Sequence, residues 1–122
     1  MPGKIESYRD LIVWEQAIEL AVAVYGTTRV WPKEELYGLT SQARRAATSV
    51  PANIAEGYAR ESRASYQNFL RIAQGSLKEL ETLLLIAERV GIISNQSVTP
   101  LMDQSDSVGK LLRLLIRKLA ET

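Results

Sequence analysis

The stretch LTSQARRAATSVPANIAEG, Leu39 to Gly57, decides how this chain folds. Gln42, Arg45, Ser49, Asn53 and Glu56, with Arg60 just beyond, are spaced 3, 4, 4, 3 and 4 residues apart, which makes one continuous polar line on a helix. Beside it run Ala43, Ala46 or Ala47, Val50 and Ile54, a small, apolar line suited to packing against another helix. Pro51 lies between the two lines. Inside a helix it has no N–H for the Ala47 carbonyl, so a kink is expected there.

Working outward, three more helices can be read and no strand pattern is present. Before the quoted stretch, Leu11, Trp14, Ile18, Ala21, Tyr25 and Thr28 recur in steps of three and four after Asp10, a natural N-cap. That helix stops before Trp31-Pro32, since the residue ahead of proline is pushed out of the helical region. The second helix is expected to start within Pro32-Lys33-Glu34-Glu35, where proline and acids suit a first turn. After the quoted stretch, Ser62 or Ser65 can cap a third helix through Phe69, Ala73, Leu77, Leu80, Leu84 and Ala87, stopped by Gly91. Thr99-Pro100 reads as the cap and first residue of a fourth, lined by Leu101, Val108, Leu112, Leu115 and Leu119. Residues 1–122 are therefore expected to form a single all-α domain, an up-down-up-down four-helix bundle with helices at about 11–30, 33–58, 63–90 and 100–120. Met1 to Arg9 is expected to fray at its beginning.

Composition narrows the chemistry. The 122 residues are 46% hydrophobic and 24% charged, with fifteen Lys and Arg against fourteen Asp and Glu. Neither cysteine nor histidine occurs. That removes disulfides, thiolate metal sites, cysteine nucleophiles, the commonest general base and any Ser-His-Asp triad. A net charge of +1 exerts no global pull on nucleic acid or anionic membrane. No apolar run approaches the ~20 residues that cross a bilayer, and Met1 to Asp10 lacks a signal-peptide core, so a soluble, cytoplasmic protein is expected.

The apolar surface exceeds what one core needs. Leu111, Leu112, Leu114, Leu115 and Ile116 point around most of the fourth helix. The first helix adds Ile12, Val13, Leu20, Val22 and Val24 to its stripe, and the third has Leu83, Leu84, Leu85 and Ile86 in a row. Each buried aliphatic side chain contributes about 1.5–3 kcal/mol relative to exposure, so several left in water imply self-association.

The stretches DLIVWEQAIELA, LTSQARRAATSVPANIAEG and IAQGSLKELET, the last followed by Gly91, together resemble a known family. This is the bacterial four-helix-bundle family, also called the 23S rRNA intervening-sequence protein family, from reading frames inserted within ribosomal RNA genes. The resemblance covers roughly residues 8 to 119. It implies an up-down bundle and a ring-shaped homopentamer. It places Gln42, Arg45, Asn53, Glu56, Gly57 and Arg60 in the family's motif on helix two, and Gly75, Ser76, Glu79 and Glu81 in that on helix three. The family is related in fold to the accessory protein of diversity-generating retroelements, a basic pentamer that binds nucleic acid and partners a reverse transcriptase. The present chain departs from that relative in being nearly neutral. The family has no settled biochemical activity.

On their own chemistry, Gln42, Arg45, Ser49, Asn53, Glu56, Arg60, Ser76 and Glu79 read as an interhelical or intersubunit polar network. In it Arg45 is the cation, Glu56 or Glu79 the acceptor, and Asn53 and Ser76 fill leftover bonds. The same residues could instead line a ligand or nucleic-acid site. Gly75 and Ser76 are small enough to admit another helix closely. No catalytic residue, cofactor or metal is assigned. Glu79 and Glu81 point in different directions, arginine cannot activate Ser49 or Ser76 as a base, and a Glu-x-x-His di-iron site needs histidine. Mg²⁺ on Glu56 plus Glu79 is the one metal arrangement the composition leaves open. Phosphate-loop, dinucleotide and nucleophile-elbow motifs are absent.

Two basic faces remain. Arg63, Gln67, Arg71, Gln74 and Lys78 line up on helix three, and Lys110, Arg113 and Arg117 on helix four, with Lys118 beside them. Gly109 to Thr122 holds four basic residues with only Glu121 against them, although cations also simply suit a helix C-terminus. Arg63, Arg71, Lys78, Lys110, Arg113 and Arg117 are accordingly the candidate phosphate contacts, with Tyr58 and Tyr66 as possible stacking platforms. Two functions follow from the sequence: a non-catalytic, self-assembling scaffold or adaptor whose partner is itself, or a nucleic-acid-binding module.

Overall fold

Local hydrogen-bonding chemistry sets where each helix starts. Residues 4–121 are described by the computed structural model. The fraying expected at Met1 falls, for residues 1–3, outside them, as does Thr122. Ser7 and Asp10 first close a 3-10 turn, Tyr8–Asp10. The Ser7 hydroxyl accepts the Arg9 N–H (3.1 Å), and the Asp10 carboxylate accepts those of Glu6 (2.9 Å) and Ser7 (3.1 Å). Those two backbone donors hold the Asp10 carboxyl below the usual carboxylate range. Asp10 is thereby taken up by the turn, and Leu11 rather than Asp10 stands at the N-cap of α1, Ile12–Thr28.

Helix α2, Leu39–Tyr58, starts later than the expected residue 33. Lys33–Glu35 forms a 3-10 turn of its own, and Gly38 adopts a non-helical backbone before Leu39. Glu35 still serves the helix start, since its carboxylate accepts the Leu39 N–H at 3.3 Å. The helix continues through Pro51, which is buried. Helix α3, Arg63–Arg89, is capped by Ser62, whose hydroxyl accepts the Ser65 N–H at 3.1 Å. It ends at Gly91, whose φ of +84° lies in the left-handed region that glycine enters without strain. That turn lets the Gly91 N–H reach the Glu88 carbonyl (3.0 Å) and the Ile92 N–H reach that of Ala87 (2.8 Å).

Helix α4, Asn95–Ala120, starts a full turn before the expected Thr99-Pro100. Ser94 wins as the cap by accepting the Ser97 N–H at 3.1 Å, while Thr99 donates back to the Asn95 carbonyl at 2.8 Å. Pro100 is carried inside the helix, where the Gln96 carbonyl it cannot bond lies on an exposed turn within reach of water.

Short connections make successive helices antiparallel. Arg44 of α2 bonds Thr28 at the end of α1 (2.9 Å), Gln67 of α3 bonds the Ile116 carbonyl near the end of α4 (3.1 Å), and Ser107 of α4 bonds Gln16 of α1 (2.8 Å). Each helix packs on its two neighbours and α4 closes onto α1, with no diagonal contact. The described residues are all-α, four helices and no strand. None of the helices is long and apolar enough to cross a membrane.

The core runs through Leu20 and Val24, Val50 and Ile54, Leu70, Leu77, Leu80 and Leu84, and Val108 and Leu112. On α1 the inward face differs from the expected one. Val13, Ala17, Leu20, Ala21, Val24 and Thr28 are buried, while Leu11, Trp14 and Ile18 are half-buried and Tyr25 is exposed. A helix apolar almost all round offers periodicity no basis for choosing a face, and packing selects the side with Ala17 and Ala21, which lets neighbours close in. The closest helix approach lies between α2 and α3. A Cβ on Gly57 would sit 2.7 Å from that of Phe69.

Candidate functional site

The polar line on α2 divides by chemistry. One neutral member ties α2 to α3, the Ser49 hydroxyl lying 2.8 Å from that of Ser76, and within α2 the Asn53 amide donates to the Ser49 hydroxyl (2.9 Å) and carbonyl (2.8 Å). Ser49, Asn53 and Ser76 are half-buried. Its charged members stay in water. Glu56 pairs with Arg60 one turn on (3.3 Å), and the Arg60 guanidinium lies 4.6 Å over the Phe69 ring. The expected pairing of Arg45 with Glu56 or Glu79 is not made. Eleven residues of one helix, about 16 Å of rise, separate Arg45 from Glu56. Arg45 and Glu79, both exposed, instead wall an open cleft of about 400 Å³ with Gln42, Ala46, Ser49 and Ser76.

On the next face, α3 and α4 bring part of the two basic stripes together. Arg71, Gln74 and Lys78 from α3 and Arg113 from α4 line a groove of about 380 Å³ that has no acidic wall. Gly75 and Gly109 lie along it. A Cβ on Gly75 would meet nothing within 4 Å, so this glycine is not what admits a neighbouring helix; Gly57 is. Lys78 is held by Glu81 at 3.2 Å, and Arg63 donates to the Glu121 carbonyl at 2.7 Å. Lys110 and Arg117 are exposed outside the groove lining. Tyr58 and Tyr66 pack edge to face, their rings 6.0 Å apart, so they brace one another between α2 and α3. Burial pushes the Tyr66 phenol up to about 12, with Tyr58 adding to the shift, and its hydroxyl has no hydrogen-bond partner.

The third surface is apolar. Leu11, Ile12 and Val13 of the α1 start, with Ile5 and with Leu111, Leu114 and Leu115 of α4, line a groove of about 550 Å³ whose rim also carries Lys4, Asp10 and Lys118. Ile12 is 69% exposed and Leu114 59%. On the opposite flank of α1, Ile18, Ala21, Val22, Tyr25 and Gly26 line a second groove of about 540 Å³.

Three cross-links escaped the sequence reading. The buried Ser105 hydroxyl donates to the Glu81 carboxylate at 2.5 Å, Arg44 bonds Thr28 while lying 4.8 Å over the Tyr25 ring, and Ser107 bonds Gln16. Ser105 carried a usable signal. It falls between Leu101 and Val108 on an apolar stripe, where a hydroxyl must find a partner. No group of three or more acidic side chains placed to hold a metal occurs among the described residues.

A profile of the 23S rRNA-intervening sequence protein family matches residues 9–114. A solved structure from Bacteroides thetaiotaomicron VPI-5482, a protein with unknown function from the S23 ribosomal protein family, superposes with a TM-score of 0.80 at 27% identity. The match covers 87% of this chain and 96% of that one. No functionally curated protein matches the chain.

Proposed function

Since the chain belongs to the 23S rRNA-intervening sequence protein family, we propose that it is a non-catalytic, self-assembling helical bundle that serves as a cytoplasmic scaffold or adaptor. The observation that carries this reading is the apolar α1/α4 groove with Ile12 and Leu114 in water on its rim. Isolated surface leucines are ordinary, but an apolar groove rimmed by charged residues, here Lys4, Asp10 and Lys118, is the pattern of an interaction site. A second copy is the occupant, since the other flank of α1 offers an apolar surface of its own around Val22 and Tyr25. Two different faces on one protomer generate a head-to-tail contact, which closes into a ring when the rotation permits. A ring of five is the form the family resemblance implies.

Sedimentation velocity at micromolar concentration tests this. The expected result is a species several times the 13.6 kDa protomer that falls to protomer mass in the double variant Ile12→Asp/Leu114→Asp. A wild-type protein that sediments only as a protomer overturns the reading.

A second reading, nucleic-acid binding, is favoured by the acid-free α3/α4 groove with Arg71, Lys78 and Arg113. Assembly would repeat that groove around an axis and multiply a local patch that net charge does not supply. Gel-shift assays with RNA and DNA should then show binding that weakens steeply with salt and is lost in Arg71→Gln/Arg113→Gln. Absence of binding at low salt leaves the scaffold reading alone.

A further inference from the structure

The cleft between α2 and α3 differs in kind from both surfaces above, because it carries one fixed charge of each sign that do not neutralise one another. Arg45 stands on the α2 wall and Glu79 on the α3 wall, and neither has an ion-pair partner among the described residues. The serine pair sits between those walls with a hydrogen to spare. Ser49 accepts from Asn53, one serine donates to the other, and the second hydroxyl proton of the pair stays uncommitted. Gln42 adds an exposed amide to the lining. With one charge of each sign the cleft has no net pull on a polyanion or a polycation, and it is complementary to a dipolar molecule. Its volume of about 400 Å³ falls within the ordinary range for small-molecule sites.

We infer that this cleft binds a zwitterion of free amino-acid or dipeptide size, its carboxylate on Arg45, its ammonium on Glu79, and its polar middle on the free serine hydroxyl and Gln42. Arginine suits the carboxylate end because its planar fork donates two parallel bonds. Arg45 and Glu79 do not pair with one another across the cleft, so the ligand completes a bridge that the protein leaves open. Because it involves neither the apolar groove nor the basic one, this inference stands or falls separately from the scaffold reading.

The experiment is a ¹H–¹⁵N NMR titration of the full chain with the dipeptide Ala-Ala, beside N-acetyl-Ala-Ala and Ala-Ala-amide, which keep the size and each lose one charge. Saturable shifts are expected at Gln42, Arg45, Ser49, Ser76 and Glu79 with the free dipeptide. Each capped form should bind more weakly, by up to about fivefold, as loss of one exposed ion pair implies. Arg45→Gln and Glu79→Gln should each lower affinity by a similar factor, and both sites are exposed, so folding is spared. Failure of the free dipeptide to shift the cleft at millimolar concentration, or equal responses to all three peptides, overturns the inference. So does a cleft whose signals move only when the protein itself is diluted, since a second copy then occupies it.

Discussion

The α2/α3 seam and the α1/α4 seam handle their surplus side chains in opposite ways. Across α2/α3, Gly57 lets the backbones close in, and the half-buried Ser49 and Ser76 hydroxyls bond one another, with Asn53 donating to Ser49 from its own helix. Across α1/α4, one exposed bond, Ser107 to Gln16, accompanies a groove with Ile12 and Leu114 mostly in water. The first seam is closed by the backbone approach at Gly57 and open only at the polar cleft between Arg45 and Glu79. The other is built to the same fold but leaves apolar surface for a further contact.

That contrast can be broken most directly in the interior of the α2/α3 seam. Ile54→Ala, at a fully buried site of α2, is expected to cost about 2–5 kcal/mol in urea unfolding, the cavity plus the lost transfer energy. Gly57→Ala should cost about 1–3 kcal/mol, because the added carbon must displace the Phe69 Cβ or the backbone beside it. A neutral Gly57→Ala would mean the seam is looser than its geometry. Ser49→Ala should cost about 0.5–1.5 kcal/mol, and Ser107→Ala on the opposite seam only a few tenths, since water replaces an exposed bond at about no loss. Equal effects of the two serine variants would erase the distinction between the seams.

The finest probe is pH. The Tyr66 phenol is pushed from 10.0 up to about 12 by burial, so the folded state resists ionisation that the unfolded chain allows. Its contribution to stability is complete below pH 10 and is lost as pH rises from there through about 12. Tyr66→Phe should flatten that alkaline decline. It should leave neutral-pH stability unchanged or slightly raised, because the hydroxyl it removes has no partner.

Much of this was legible in the residues, and what was not has physical causes. The small line Ala43, Ala46, Ala47, Val50 and Ile54 is buried as its spacing implies, because one helix face differs sharply from the other. Helix α1 lacks that contrast, so its buried face depended on fit against α2 and α4. The start of α4 was misplaced because two cap signals, Ser94 and Thr99, lie a turn apart, and only packing of Val98 into the core favours the earlier. At the candidate sites, spacing put Arg45, Ser49, Ser76 and Glu79 together around one cleft. It did not give their bonding, which depends on which helix lies opposite. Ser105 and Arg44 find their partners across helix boundaries and leave no periodic mark.

The order in which helices neighbour one another also sets how the bundle opens. Three of its four contacts join helices adjacent in sequence, whereas α1 and α4 meet across the intervening length of α2 and α3. Closing that long loop costs the most chain entropy, and among the described residues one exposed side-chain bond, Ser107 to Gln16, spans it. Amide hydrogens of α1 should therefore exchange with solvent ahead of those in α2 and α3, and a neighbouring copy seated on the α1/α4 groove would act as the clasp that slows them.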